Sequence, residues 1–122
     1  MKRILIVDDD AQFRLMLRRI LEREGYEVFE ACDGKQGLTA FRRLRTDLVI
    51  TDIIMPEKEG VETILALRRE FPAVKIMAVS GGGRNAPGDY LTLAKKLGAQ
   101  VTMEKPLNRS QLLEEVKVLT EA

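Results

Sequence analysis

The segment Asp47-Leu48-Val49-Ile50-Thr51-Asp52-Ile53-Ile54-Met55-Pro56 decides the fold of this chain. Its β-branched residues predict a short buried strand that ends in the carboxylate of Asp52 and is stopped by Pro56. A carboxylate at the end of an apolar strand is costly to bury unless a cation or hydrogen-bond donors meet it there. We therefore expect other parts of the chain to bring such partners to Asp52.

Polar side chains follow three other predicted strands, each at the point where the strand ends. They are Asp8 and Asp9 after residues 4–7, Ser80 after residues 74–79, and Lys105 and Pro106 after residues 100–103. In open α/β sheets, ligands bind outside the carboxyl ends of the strands, near the point where the strand order reverses. The sequence therefore predicts a binding site where four strand ends converge.

Segments with helical spacing of apolar residues separate the runs, so that strand and helix alternate five times. This alternation predicts an α/β fold with a parallel sheet, right-handed crossovers and helices on both faces. Asp33 and Asn108 are expected to cap the second and fifth helices. The first helix is expected to bury a stripe formed by Phe13, Met16, Leu17, Ile20 and Leu21.

Composition narrows the class of protein. A chain of 122 residues fits one domain, and we expect residues 1–122 to form it with no output domain, because no linker or repeat is present. The net charge of +1 argues against nucleic acid as the main partner.

No apolar run approaches the ~20 residues of a membrane span, and the apolar start is too short for a signal peptide. The single cysteine, Cys32, fits a reducing cytoplasm and is expected to be a small buried hydrophobe. The absence of histidine excludes a Ser-His-Asp triad and histidine zinc ligands.

The residues at the strand ends predict a particular chemistry. Three carboxylates, Asp8, Asp9 and Asp52, would repel one another without a cation, and Mg²⁺ prefers such oxygen ligands. The alternative is that the acidic run only begins a helix, since negative charge at a helix N-terminus is stabilised by the helix dipole. Lys105 precedes a proline and is therefore extended, so it can project over the sheet edge toward a phosphoryl oxygen. Its alternative is an ordinary surface lysine.

Five marks occur in a fixed order: Asp8-Asp9, Asp52 in its strand, Gly60, Ser80 and Lys105-Pro106. With them, the chain resembles the receiver domain of two-component response regulators along its full length. The resemblance implies a flavodoxin-like (βα)5 sheet, doubly wound and parallel, of strand order 2-1-3-4-5. It also implies that Asp52 accepts a phosphoryl group from the phosphohistidine of a sensor histidine kinase or a histidine phosphotransfer protein.

The resemblance assigns a role to each site residue. Mg²⁺ is held by Asp9, Asp52 and the backbone carbonyl of Ile54, with Asp8 helping through water. Ser80, Gly81 and Lys105 bind the phosphoryl oxygens. Pro56, Gly60 and Pro106 are structural at the site, and the Lys105–Pro106 peptide bond is expected to be cis.

The resemblance also implies a cytoplasmic signalling domain that catalyses only its own phosphorylation and dephosphorylation. It would contact an unidentified downstream protein through the fourth helix, fifth strand and fifth helix, without nucleic acid or membrane, as a monomer or a phosphorylation-dependent dimer. Arg14 and Arg18 are candidates for kinase docking. The alternative is that they only form a solvated helix face. Thr102 stands where the family usually has an aromatic that swings inward. The hypothesis is that Ser80 and the glycine loop, or Tyr90, take over that task.

Three other functions compete with a phosphoacceptor. The sequence Asp8-Asp9-Asp10 resembles the start of a haloacid-dehalogenase-type phosphatase, with Asp8 as nucleophile and Asp10 as general acid. A flavin or nucleotide binder shares the fold class, but the chain lacks the Gly-rich phosphate-binding motifs. A receiver that has lost its chemistry and serves only for docking is the third, and the presence of every site residue counts against it.

Overall fold

Strands and helices alternate in the structure as the sequence predicts. The structure is a computed structural model that describes residues 1–53, 59–81 and 87–121, with the backbone alone at residues 59 and 87–91. The strands are β1 (Arg3–Val7), β2 (Glu27–Ala31), β3 (Leu48–Asp52), β4 (Ile76–Ser80) and β5 (Val101–Glu104). The helices are α1 (Ala11–Arg23), α2 (Gly34–Leu44), α3 (Glu59–Glu70), α4 (Pro87–Lys96) and α5 (Arg109–Glu121).

The strands form one parallel sheet in the order β2-β1-β3-β4-β5, which confirms the predicted order. Strands β3 and β4 are buried at every position, as continuous apolar runs in the middle of a parallel sheet should be. Strand β2 lies at an edge, and only Val28 and Ala31 of its five residues are buried. Strand order reverses between β1 and β3, so the carboxyl ends of these two strands flank the expected ligand crevice.

Two hydrophobic layers cover the sheet. One contains buried residues of α1 and α5, among them Leu17 and Leu112, and the other contains buried residues of α2, α3 and α4, among them Phe41, Ile64 and Ala94. Across the described ranges, none of the helices combines the length and apolar character that a bilayer crossing requires.

Two predictions of burial are wrong. Met16 is 43% exposed, because only a narrow stripe of α1, centred on Leu17 and Leu21, faces the sheet. Cys32 is exposed rather than buried, because it directly follows the end of an edge strand, in the turn before α2. Its sulfur lies 3.3 Å from Oε1 of Gln36.

The caps at three helix starts are aspartate and asparagine side chains. Asp33 accepts from the backbone N–H of Gln36 at 2.7 Å, and Asn108 accepts from that of Gln111 at 2.9 Å, as predicted. At α1 the cap is Asp10, whose carboxylate accepts from the first turn of the helix. Because Asp10 performs this task, the carboxylates before it are available for other contacts.

The side chain of Gln100 joins β4 to the segment that leads into β5. Its Oε1 accepts from the backbone N–H of Ile76 at 2.8 Å, and its Nε2 donates to the carbonyl of Val74 at 3.2 Å. Arg68 also donates to Oε1 of Gln100, at 3.2 Å. A single amide therefore satisfies backbone groups that the short strands leave outside the ladder.

Replacing Gln100 with Ala is expected to lower the free energy of unfolding by about 2 kcal/mol, since two hydrogen bonds to backbone are lost. Gln100→Glu keeps the acceptor for Ile76 but loses the donor to Val74, so an intermediate loss is expected. Denaturant unfolding at neutral pH measures both, with Gln111→Ala as the control because Gln111 contributes its backbone to a cap. Equal stability of Gln100→Ala and Gln111→Ala would contradict the assignment.

Candidate functional site

Alternation along the strands places three charged residues on the same side of the sheet. Side chains two residues apart in a strand point to the same face. Asp8, Asp52 and Lys105 each come two residues after a side chain that packs in the layer of α1 and α5. Those preceding side chains are Ile6, Ile50 and Met103. The three charges are thus brought together at the carboxyl edge of β1, β3 and β5.

Lys105 places its ammonium group between two buried carboxylates. Its Nζ lies 2.8 Å from Oδ2 of Asp8 and 3.3 Å from Oδ2 of Asp52. The side chains of Asp8 and Asp52 are 1% and 6% exposed, and that of Lys105 is 18% exposed. The same Nζ lies 4.0 Å from the centre of the Phe13 ring, within the range of a cation–π contact. Lys105 is therefore part of the site and not an ordinary surface lysine.

The electrostatic environment keeps Lys105 charged. Burial alone would lower the pKa of its ammonium, but the hydrogen bond to Asp8 and the charge of Asp52 outweigh burial, and the pKa is raised above the ordinary value of 10.5. A permanent cation therefore lies beside both carboxylates at neutral pH.

Asp8, Asp9 and Asp52 form an acidic cluster. One carboxylate oxygen from each lies within 4.8 Å of the others. Asp9 is exposed while the other two are buried, so the cluster opens toward solvent. Hard divalent cations prefer carboxylate oxygens, and this set of ligands fits such an ion. Ile54, whose carbonyl was expected to complete the set, lies outside the described residues.

Asp8 is held on several sides. Its backbone N–H donates to the carbonyl of Ala31 at 3.1 Å, and its Oδ1 accepts from the backbone N–H of Asp10 at 2.8 Å. Its own carbonyl accepts from Nη1 of Arg14 at 2.5 Å, and Oδ2 contacts Lys105. A carboxylate engaged in this way suits an anchoring role better than a nucleophilic one. Since Asp10 caps α1, the geometry also counts against Asp10 as a general acid.

Ser80 and Gly81 lie at the end of β4. Ser80 is fully buried, and its carbonyl accepts from the backbone N–H of Lys105 at 2.7 Å, which joins the ends of β4 and β5. Its hydroxyl donates to the carbonyl of Gly81 at 3.4 Å, a long and weak hydrogen bond. The hydroxyl can therefore exchange this acceptor for a better one at small cost.

Gly60 permits the close approach of α3 to the end of β3. A Cβ atom at this position would lie 2.3 Å from the carbonyl oxygen of Asp52 and 2.4 Å from Cα of Ile53. Both neighbours are backbone atoms, which cannot rotate away. Of the expected prolines, Pro106 follows a cis peptide bond, as the resemblance implied, and Pro56 lies outside the described residues.

Arg14 and Arg18 lie on one face of α1 and share a partner that was not predicted from the sequence. Both form ion pairs with Glu30 of β2, at 2.9 Å and 2.8 Å. Their spacing of four residues, which puts both guanidinium groups on one side of α1, was the available signal. Thr102 is half-buried on β5. The side chain of Tyr90, together with Gly82 and Gly83, lies outside the described residues, so the switching hypothesis stays a prediction.

Comparison with known proteins agrees with the geometry. The family model of the response regulator receiver domain matches residues 4–117. The chain is 38% identical to the chemotaxis protein CheY of Thermotoga maritima over 93% of this chain and 92% of that protein. It is 29% identical to the sporulation initiation phosphotransferase F of Bacillus subtilis, covering 95% and 91% of the two chains.

Longer relatives and solved structures give the same result. The chain is 34% identical to the Escherichia coli transcriptional regulatory protein CpxR, over 98% of this chain but only 49% of that protein. A crystal structure of a response regulator receiver domain protein from Clostridium thermocellum superposes with a TM-score of 0.90 at 26% identity, covering 99% of this chain and 95% of the other. With the flavodoxin-like strand order, the acidic cluster and the lysine at the sheet edge, this chain belongs to the response regulator receiver domain family.

Proposed function

We propose that this receiver accepts a phosphoryl group on Asp52 in the presence of Mg²⁺ and signals through altered protein contacts. The observation that carries the proposal is the position of the Lys105 ammonium, 3.3 Å from Oδ2 of Asp52 and 2.8 Å from Oδ2 of Asp8. A cation in this place offsets the charge that arrives with a phosphoryl group. Phosphoryl transfer needs positioning and charge neutralisation more than covalent help from the protein.

The transfer balances without any further reactant. A carboxylate oxygen of Asp52 attacks phosphorus, an oxygen–phosphorus bond forms, and the phosphorus–nitrogen bond of the donor phosphohistidine breaks. The bonding electrons leave with the imidazole of the donor. Lys105 then moves its hydrogen bond from Asp52 to a phosphoryl oxygen, while Asp8 continues to hold the ammonium group.

The acidic cluster is the proposed metal site. Asp9, Asp52 and the carbonyl of Ile54 would bind Mg²⁺, with Asp8 contributing through water. When bound, the ion supplies neutralisation of the negative charge on the carboxylates and phosphoryl oxygens. The spacing of three carboxylate oxygens within 4.8 Å supports this assignment.

Ser80 and Gly81 are proposed to complete the phosphoryl site. The Ser80 hydroxyl would give up its 3.4 Å contact with the Gly81 carbonyl and donate to a phosphoryl oxygen. Gly81 would contribute its backbone N–H. Pro56, Gly60 and Pro106 would be structural at the site, and at Gly60 the helix lies too close to the backbone of Asp52 and Ile53 for a side chain to fit.

The proposed partners are a sensor histidine kinase or a histidine phosphotransfer protein upstream and an unidentified protein downstream. The name of the Bacillus subtilis relative, a phosphotransferase, supports the phosphoryl-transfer step. We propose a cytoplasmic location, a monomer or a phosphorylation-dependent dimer, and no partner among nucleic acids or membranes. Catalysis would be limited to the chain's own phosphorylation and dephosphorylation.

Mapping the modified residue tests the proposal. The protein is incubated with a small phosphodonor and Mg²⁺, digested at acidic pH, and analysed by mass spectrometry. We expect one phosphoryl group per chain, located on Asp52 and dependent on Mg²⁺. Modification of Asp8 with many turnovers of donor would favour the haloacid-dehalogenase-type phosphatase instead. The absence of any adduct would overturn the proposal.

A further inference from the structure

We propose that Arg14 and Glu30 act as a positioning pair that fixes the backbone of the acidic cluster in the geometry required for Mg²⁺. The inference rests on the proposed function, since it concerns the same metal site. Neither residue touches the carboxylate oxygens of the cluster through a contact described above. Their effect is therefore exerted through the main chain of Asp8.

The Arg14 guanidinium contacts two different parts of the molecule. Its Nη1 donates to the backbone carbonyl of Asp8 at 2.5 Å, and its Nε donates to Oε1 of Glu30 at 2.9 Å. The Arg14 and Glu30 side chains are 17% and 26% exposed, so both contacts are partly shielded from water. A planar guanidinium can make these two hydrogen bonds in fixed directions, which a lysine ammonium cannot do in the same way.

Glu30 is itself held firmly. Its second oxygen, Oε2, accepts from Nη1 of Arg18 at 2.8 Å, and Arg18 also pairs with Glu22 at 3.1 Å. The hydrogen bond from Arg18, together with the one from Arg14, keeps the pKa of the Glu30 carboxyl below its ordinary value. Glu30 is therefore a carboxylate at neutral pH, and it ties Arg14 to β2. Without it, the long Arg14 side chain would regain rotamers and lose its fixed direction.

The carbonyl that Arg14 holds belongs to the peptide group between Asp8 and Asp9. The other side of Asp8 is fixed by its N–H donating to Ala31 at 3.1 Å. The orientation of this peptide group sets the course of the chain into Asp9, which is the exposed member of the cluster. A rotation of the peptide group would move the Asp9 carboxylate away from those of Asp8 and Asp52.

A simple charge effect is the alternative explanation. A bare guanidinium near three carboxylates would also reduce their repulsion. Here, however, Glu30 lies 2.9 Å from Arg14 and offsets part of its positive charge. The contacts therefore favour a positional role, and the two explanations predict different results for Arg14→Gln. If charge dominates, Arg14→Gln should strengthen Mg²⁺ binding, because it removes a positive charge that repels the ion. If position dominates, Arg14→Gln should weaken Mg²⁺ binding.

The test uses Mg²⁺ alone, without a phosphodonor, and measures the dissociation constant by NMR titration of the full chain. Arg14→Gln and Glu30→Gln are each expected to weaken Mg²⁺ binding about tenfold, the lower end of the effect of outer partners on metal sites. Arg14→Lys keeps the charge but loses the planar guanidinium with its two directed donors, and its Mg²⁺ binding should be weakened nearly as much. Arg18→Gln is the matched control, because Arg18 contacts the same Glu30 but not Asp8, and its affinity should stay within about twofold of wild type.

A second readout does not depend on metal. In the metal-free protein, the Asp10 amide, which donates to Asp8 Oδ1, should exchange with solvent faster in Arg14→Gln and Glu30→Gln than in Arg18→Gln. Unchanged exchange and affinity in the two variants would overturn the positioning pair, as would equal effects of all three substitutions. If the wild type accepts no phosphoryl group, the proposed function fails, but amide exchange still decides whether the pair holds the Asp8 backbone.

Discussion

Replacing Asp52 with Asn is expected to abolish phosphoryl attachment while the fold stays intact. The amide is nearly isosteric with the carboxylate but is a poor nucleophile, and its oxygen can still accept from Lys105. The substitution weakens the attraction to Lys105 at 3.3 Å and relieves repulsion with two carboxylates whose oxygens lie within 4.8 Å. These changes oppose each other, so the free energy of unfolding without Mg²⁺ should change by less than about 1 kcal/mol.

Intact-mass measurement after treatment with a small phosphodonor and Mg²⁺ checks this result. Asp10→Asn is the matched control, since asparagine caps a helix as well as aspartate does and Asp10 accepts only from the first turn of α1 in the contacts described here. The control should gain a phosphoryl group like the wild type. Labelling of Asp52→Asn at the wild-type level would contradict the assignment, and loss of labelling in Asp10→Asn would favour the phosphatase.

Replacing Lys105 with Met is expected to destabilise the metal-free protein by about 3 kcal/mol, because removing one partner of a buried ion pair leaves an uncompensated charge. Here two carboxylates, of Asp8 and Asp52, would lose their shared cation. A divalent cation that binds only the folded state should restore much of the loss, in proportion to its concentration. Phosphoryl attachment should also become much slower, since the cation beside the acceptor is gone.

The same substitution has a signature at alkaline pH. Because folding raises the pKa of Lys105, its stabilisation is complete at neutral pH and is lost as the pH rises above 10.5 through the value in the folded protein. In this pH range the free energy of unfolding of the wild type should therefore fall more steeply than that of Lys105→Met.

Denaturant unfolding with and without Mg²⁺ measures these effects. Lys35→Met changes the net charge equally at an exposed position on α2 and should alter stability by less than about 0.5 kcal/mol. If Lys105→Met and Lys35→Met have the same stability without Mg²⁺, the ammonium group does not compensate the two buried carboxylates.

The features that could be predicted from sequence are those set by the spacing of apolar residues and by the direction of the strands. Asp52 is the last residue of β3, and Asp8 and Lys105 directly follow β1 and β5. Parallel strands bring their carboxyl ends to one edge. Their convergence therefore needed only the number and order of the strands. The N-caps Asp33 and Asn108 were predictable for a related reason, because a cap depends on residues within one turn of helix.

The features that could not be predicted depend on the placement of one element against another. Helical periodicity identifies the inner face of α1 but not the width of its contact with the sheet, so the burial of Met16 was overestimated. The exposure of Cys32 follows from the position of β2 at the edge. The pairing of Arg14 with Glu30 joins a helix to a strand 16 residues away, which becomes visible only once α1 lies across β2.

The aromatic ring of Phe13, 4.0 Å from the Lys105 ammonium, bears on how that ammonium moves. Attraction to the face of a ring is broad and only weakly directional, unlike a hydrogen bond to a single oxygen. The ring can therefore continue to attract the ammonium group while that group moves its hydrogen bond from one oxygen to another. In this chain, which has Thr102 on β5, the aromatic side chain nearest the lysine among the described contacts comes from α1. A movement of the lysine would thus also change its contact with α1.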